Sequence, residues 1–113
     1  MSHTPGPWEV KNQIQVFSLL GAESGDGYKA QESDGWQIAD CSEGETFVTG
    51  GMMDLGFDVK KANAKLIAMS PQLLLALEDA AGIFRGLVDV VPLLRERVIA
   101  YDNLIAKARG TEA

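Results

Sequence analysis

Apolar and polar positions alternate with a period of two in the first half of the chain and with a period of three to four in the second. Gln13-Ile14-Gln15-Val16-Phe17 alternates and is rich in strand formers, which predicts a strand. Trp8-Glu9-Val10 follows Pro5-Gly6-Pro7, a segment whose prolines exclude helix. Trp36-Gln37-Ile38-Ala39-Asp40-Cys41 alternates again, with Trp36 and Ile38 on one face and Ala39 and Cys41 on the other. Glu45-Thr46-Phe47-Val48-Thr49 is a fourth candidate, ended by Gly50-Gly51. Gly25-Asp26-Gly27 marks a turn, because glycine supplies the positive φ that tight turns require. Short strands joined by turns predict an antiparallel meander with one face to be covered.

Helical spacing takes over at Lys60, with Ala62, Leu66 and Met69 in register. Ser70-Pro71 starts a new helix, since serine caps and proline is tolerated in the first turn. From there an apolar series runs Leu73, Leu77, Ala80, Phe84, Leu87, Val91, Leu94, Val98, Tyr101, Ile105, Ala108 in alternating steps of four and three, a heptad seam. Gly110 follows as a stop. Pro92 interrupts the seam, at roughly 3 kcal/mol in a helix interior. Either one long helix kinks there, or the chain turns near Asp89 and Pro92 opens the second arm of a hairpin. A continuous helix over residues 71–109 would be about 58 Å long, too long to bury its seam within a globule of about 13 Å radius of gyration. The long-helix reading requires a second copy, and at least a dimer through the seam is expected in either arrangement, with Leu77, Phe84, Leu87, Val91, Leu94 and Val98 at the interface. Gly82 and Gly86, four apart beside the seam, suggest a close backbone approach, in a helix crossing within the monomer or in an oligomer or ligand contact.

The expected fold is α+β: a small N-terminal antiparallel sheet, a short helix, and a long kinked helix or helical hairpin. One domain is expected over residues 1–113, β-rich to residue 59 and helical from residue 60, as 113 residues suit one domain. Apolar content of 46% argues against a disordered tail, and no apolar run reaches the roughly 20 residues of a membrane span. The start of the chain lacks the basic and apolar regions of a secretory signal. A single cysteine, Cys41, cannot form an internal disulfide, which makes a reducing cytoplasm the default.

The net charge of −6 is uneven: residues 1–59 carry ten acidic side chains against Lys11 and Lys29, and residues 60–113 carry eight basic against six acidic. A solvated surface accounts for this. An acidic sheet also suits a basic partner protein, and a basic helical face suits phosphate. No direct contact with DNA is expected.

Catalytic signatures are missing. His3 and Cys41 are the sole residues of their kinds, so a Cys/His metal site in one chain is excluded. There is no phosphate-loop motif and no Gly-x-Ser-x-Gly elbow. The carboxylate pairs Glu43/Glu45 and Glu78/Asp79 have spacings common on solvated faces. No catalytic residue, cofactor or metal is expected. Binding chemistry has more candidates. Lys61 and Lys65 share a helix face beside Asn63, whose amide suits a base edge; Arg95 and Arg97 offer forked donors for phosphate, with Tyr101 a turn later; Lys107 and Arg109 close the helical half; Trp36 and Phe47 offer rings. Packing explains the rings equally well, and helix-dipole and solvent contacts explain the charges.

His3-Thr4-Pro5-Gly6-Pro7-Trp8 and the block from Ala62 to Glu78, ANAKLIAMSPQLLLALE, resemble a large family of small phage and prophage proteins, and Ile38-Ala39-Asp40-Cys41 fits its central strand. Met69-Ser70-Pro71-Gln72 departs from that family's more usual alanines and Pro-Glu, and the apolar continuation after Leu77 is less typical. The resemblance implies a setting rather than a reaction: a non-enzymatic protein of the host cytoplasm that disables host defence. Two modes fit. One is an oligomeric sponge that sequesters a cyclic-nucleotide or ADP-ribose-derived immune signal, as Thoeris and CBASS inhibitors do, with Asn63, Arg95, Arg97, Tyr101 and Trp36 as its site. The other is an anti-CRISPR-like inhibitor that binds a host defence protein. A phage accessory role of another kind remains open beside them.

Overall fold

Eight elements follow the order the sequence pattern predicts, β before α: β1 (Trp8–Lys11), β2 (Gln15–Ser18), β3 (Gln37–Asp40), β4 (Glu45–Val48), β5 (Gly51–Asp54), α1 (Phe57–Ala68), α2 (Ser70–Arg85) and α3 (Leu94–Arg109). They are read from a computed structural model that describes residues 3–30 and 35–110, without the side chains of Phe47 and Val48. The described residues fall into two compact units: residues 4–71, which hold the strands and α1, and residues 72–110 with His3, which hold the helical hairpin.

In the first unit β1, β2 and β3 form an antiparallel sheet in that order. Asn12 and Gln13 take positive φ of 53° and 70° in the loop joining β1 to β2. Asparagine tolerates this conformation, and its amide donates to the Gln15 side chain at 2.7 Å. The strand therefore begins at Gln15 rather than Gln13. Val10, Val16 and Ala39 stand opposite one another across the three strands. This row faces α1, whose Ala64 and Ala68 lie four apart on one face and are buried. Small side chains at both positions let the helix lie close to the sheet, leaving Val16 at 0% exposure. Trp8, Ile38, Cys41 and Ile67 pack around the same cluster. A register shift between Val16 and Phe17 accompanies the packing of adjacent Ile38 and Ala39 on one core, where simple alternation would place them on opposite faces.

The two motifs that carry the family resemblance meet here. A Cβ on Gly6 would lie 2.7 Å from the Cβ of Pro71, so the glycine is the contact. Thr4 Oγ1 donates to the Ser24 carbonyl at 2.9 Å, and the Trp8 indole N–H donates to the Thr4 carbonyl at 3.2 Å. The N-terminal motif thus acts as a clasp on the sheet and on the start of α2.

Gly50-Gly51 does not end the β region. Both glycines take positive φ, 98° and 143°, and turn the chain into β5, which pairs with β4 in a separate two-stranded hairpin. The extra strand was hidden because it is short and begins at a Gly-Gly pair, a residue type depleted in strands. α1 accordingly starts at Phe57, with Gly56 as its N-cap and Asp58 in its first turn, ahead of the expected Lys60.

In the second unit the chain takes the hairpin, not the kinked helix. α2 stops at Arg85, turns occupy residues 86–90 and 92–93, and α3 begins at Leu94 just after Pro92. Arg85 pairs with Asp102 at 2.5 Å, and the Arg109 guanidinium is held by the Glu78 carboxylate through Nε at 2.8 Å and again through its terminal nitrogen. The two pairs have the same sum of residue numbers, the mark of a single antiparallel register. Phe84 and Tyr101 lie against each other with ring centroids 5.9 Å apart, and Ala81 and Val98 are buried. The middle of the seam is thus met within the chain, while Leu73, Leu87 and Val91 stay exposed. Gly110 ends α3 in the left-handed region, φ 72°, as expected of a C-terminal glycine.

Neither helical glycine marks a close approach within the described chain. A Cβ on Gly82 would meet nothing within 4 Å, and one on Gly86 only carbonyl oxygens of its own turn at 3.5 and 3.8 Å. Gly82→Ala is therefore expected to stabilise the protein by about 0.5–1 kcal/mol, since alanine loses less backbone entropy in a helix. A urea midpoint unchanged or lowered in this variant would reveal a neighbour at Gly82.

Candidate functional site

The residues expected to bind a nucleotide are distributed over both units. In the first, Trp36 is half-buried and committed to structure: its indole N–H donates to the Ala22 carbonyl at 2.8 Å, and its backbone N–H donates to Ser18 Oγ at 3.1 Å. Asn63 is exposed on α1. Lys61 lies over the Phe57 ring at 5.3 Å and 3.7 Å from Asp58, so part of its charge is answered locally. The Phe47 side chain lies outside the described residues.

In the hairpin, Arg95 and Arg97 are exposed on α3. Two residues along a helix are rotated by about 200°, so one chain presents these arginines to nearly opposite sides. Arg97 shares its side with Tyr101, one turn on, and Tyr101 is half-buried against Phe84. Arg109, expected to be available at the end of the chain, is taken up by Glu78, which also removes Glu78 from the Glu78/Asp79 carboxylate pair. Of the six residues assigned to an intermolecular seam, Val98 is buried, Phe84 packs on Tyr101, and Leu77 and Leu94 are half-buried. Leu87 and Val91 stay exposed, near 42% and 41%. An antiparallel hairpin satisfies the same heptad spacing that two chains would.

Sequence reasoning missed the surface around the second β-hairpin. All four residues of β5 are exposed. Met52 and Met53 point to opposite sides of the strand, and both are exposed, 57% and 58%. Leu55, after β5, and Phe57 and Val59, on α1, are exposed as well. Carboxylates border it. Lys60 answers Asp54 at 3.0 Å, while Glu43 and Glu45 are exposed. At the end of β3, Asp40 Oδ1 accepts the Ser42 backbone N–H at 2.9 Å, which holds its carboxyl below the ordinary aspartate range. That tie is complete above the unfolded pKa of about 3.9 and is lost only as pH falls through the lower folded value. The signal for this surface was present in the acidic bias and in two adjacent methionines after a Gly-Gly turn. Among the described residues, no three His, Cys, Asp or Glu side chains gather where a metal ion could be held. No single described helix is long and apolar enough to cross a membrane.

The family of Salmonella phage P22 protein Y8K6 matches residues 1–112. The chain belongs to this family. The phage setting implied by the N-terminal motif and the α1–α2 block is therefore established for the chain as a whole. No curated protein and no solved structure matches it.

Proposed function

We propose that this phage protein is a non-enzymatic binding protein that acts in the host cytoplasm by docking the β4–β5 hairpin and the start of α1 onto a basic protein of the host, in an anti-defence role. The observation that carries the reading is the exposure of Met52, Met53, Leu55 and Phe57 among the described residues. A two-stranded hairpin is marginal in isolation, yet this one exposes methionine on both sides. Methionine adapts its shape to a partner and gains by burial there. The surrounding charge sets the partner's sign. Residues 4–71 carry ten carboxylates against five lysines, a balance of −5, so a basic surface is attracted and an acidic one repelled. The defence role rests on the phage setting alone.

Co-purification from host cells tests it. Wild-type protein should retain a basic host protein, and Met53→Glu should lose it while melting at the wild-type temperature, because Met53 is exposed and makes little of the fold. Retention that survives Met53→Glu unchanged would overturn the assignment. The competing sponge reading draws its support from Arg97 and Tyr101 on one side of α3, a cation beside a ring. Release of a nucleotide from denatured wild-type protein, lost in Arg97→Ala, would replace the protein-binding proposal with that one.

A further inference from the structure

We infer that the closed end of the α2–α3 hairpin is a membrane-contact tip that seats in the headgroup layer of an anionic lipid surface. The inference concerns a surface separate from the β4–β5 hairpin and does not depend on the proposed function. Between Arg85 and Arg95 the chain reads GLVDVVPLL, in which Asp89 is the one charge. Leu87, Val90, Val91 and Leu93 are exposed there. Leu93 and Val90, at 86% and 78%, are the most exposed large apolar side chains among the described residues. Small and polar residues are the usual material of a connection between helices, so an apolar one needs a reason.

Two features select lipid as the occupant. The first is the main chain. Gly86 and Leu87 donate their N–H groups to the Gly82 and Phe84 carbonyls, Val90 and Val91 both donate to the Leu87 carbonyl at 3.0 and 2.7 Å, and Leu94 donates to the Val91 carbonyl. Pro92 has no N–H to satisfy. A turn closed on itself in this way tolerates contact with acyl chains, which offer no hydrogen bonds, and leaves few donors for an added strand of protein. The second feature is charge. Arg95 and Arg97 are exposed in the first turn of α3, and among the described residues neither enters an ion pair. Their nearly opposite directions keep them from sharing one phosphate, but let both reach a plane of phosphates that surrounds the helix. Arg97 lies about 6 Å along the axis from Leu93, within the roughly 5–10 Å by which an apolar surface enters the headgroup boundary. Asp89 and Glu96 oppose the attraction and hold the tip at that boundary. Residues 72–110 carry five basic and five acidic side chains, so this unit as a whole is not repelled by an anionic surface.

Flotation of the full chain with vesicles tests this, using equal parts of phosphatidylglycerol and phosphatidylethanolamine against phosphatidylcholine alone. The chain should rise with the anionic vesicles and much less with the neutral ones. Leu93→Ser should weaken binding by at least about tenfold while melting at the wild-type temperature, because Leu93 is almost fully exposed. Asp89→Asn should strengthen binding about fivefold and Arg95→Gln should weaken it by about the same factor, the effect of one charge near an anionic surface. Leu75→Ser, at an exposed position of α2 away from the tip, should leave it unchanged. Wild-type chain that ignores both kinds of vesicle, equal binding to both, or binding that survives Leu93→Ser would each overturn the inference. Self-association lost in Leu93→Ser, with no vesicle binding, would overturn it in favour of a second copy at the tip.

Discussion

Gly35→Ala is expected to destabilise the first unit by at least about 3 kcal/mol, because strain and collision act together at this position. Gly35 takes φ +78°, and a Cβ there would lie 2.2 Å from the Ser18 carbonyl oxygen and 3.1 Å from the Leu19 carbonyl carbon and oxygen. The obstacle is backbone and cannot swing aside. Moving it would strain the link between β2 and β3, where Ser18 N–H donates to the Trp36 carbonyl at 2.9 Å and Trp36 N–H donates to Ser18 Oγ at 3.1 Å. Gly27 provides the control: it takes φ +92° with nothing within 4 Å of the added carbon. Gly27→Ala should cost only the left-handed penalty of about 1–2 kcal/mol. Urea unfolding followed by circular dichroism separates the two, and equal losses would contradict the packing of residue 35 under Ser18.

Trp8→Ala should cost about 3 kcal/mol, the lower end of the range for aromatic truncation in a core, as the ring is half-buried. Trp8 packs on the Val16, Ala64 and Ala68 cluster and ties the N-terminal clasp to the sheet through Thr4. Trp8→Phe keeps most of the packing and loses the indole hydrogen bond, so it should cost about 1–2 kcal/mol. A loss below 1 kcal/mol for Trp8→Ala would place the ring outside the core.

The fold was legible where periodicity is strong. Alternation marked Val16 and Ala39, and helical spacing with Ser70-Pro71 marked the start of α2. Boundaries failed where a local conformation outweighs composition: positive φ at Asn12 and Gln13 delays β2, and the turn at Gly50-Gly51 creates β5. The choice between kinked helix and hairpin lay open to apolar spacing, which is identical for both. Charge would have decided it. Glu78 and Arg85 stand seven apart on one arm, Asp102 and Arg109 seven apart on the other, and only an antiparallel fold brings each to its opposite. The candidate site was less legible still. Arg109 looked available because that charge spacing was not used, and Trp36 because sequence does not reveal that the Ala22 carbonyl holds its indole N–H. The exposed methionines were overlooked because an apolar side chain is presumed buried until its element is seen to lack a cover.

A photo-crosslinking residue at Met53, introduced into the full chain and irradiated in host cells, tests the central proposal most directly. Mass spectrometry should find one predominant host protein joined at that position, basic at its contact surface, and competed away by unlabelled wild-type chain. Crosslinks confined to the chain itself, or spread without competition over abundant proteins, would contradict docking through the β4–β5 hairpin.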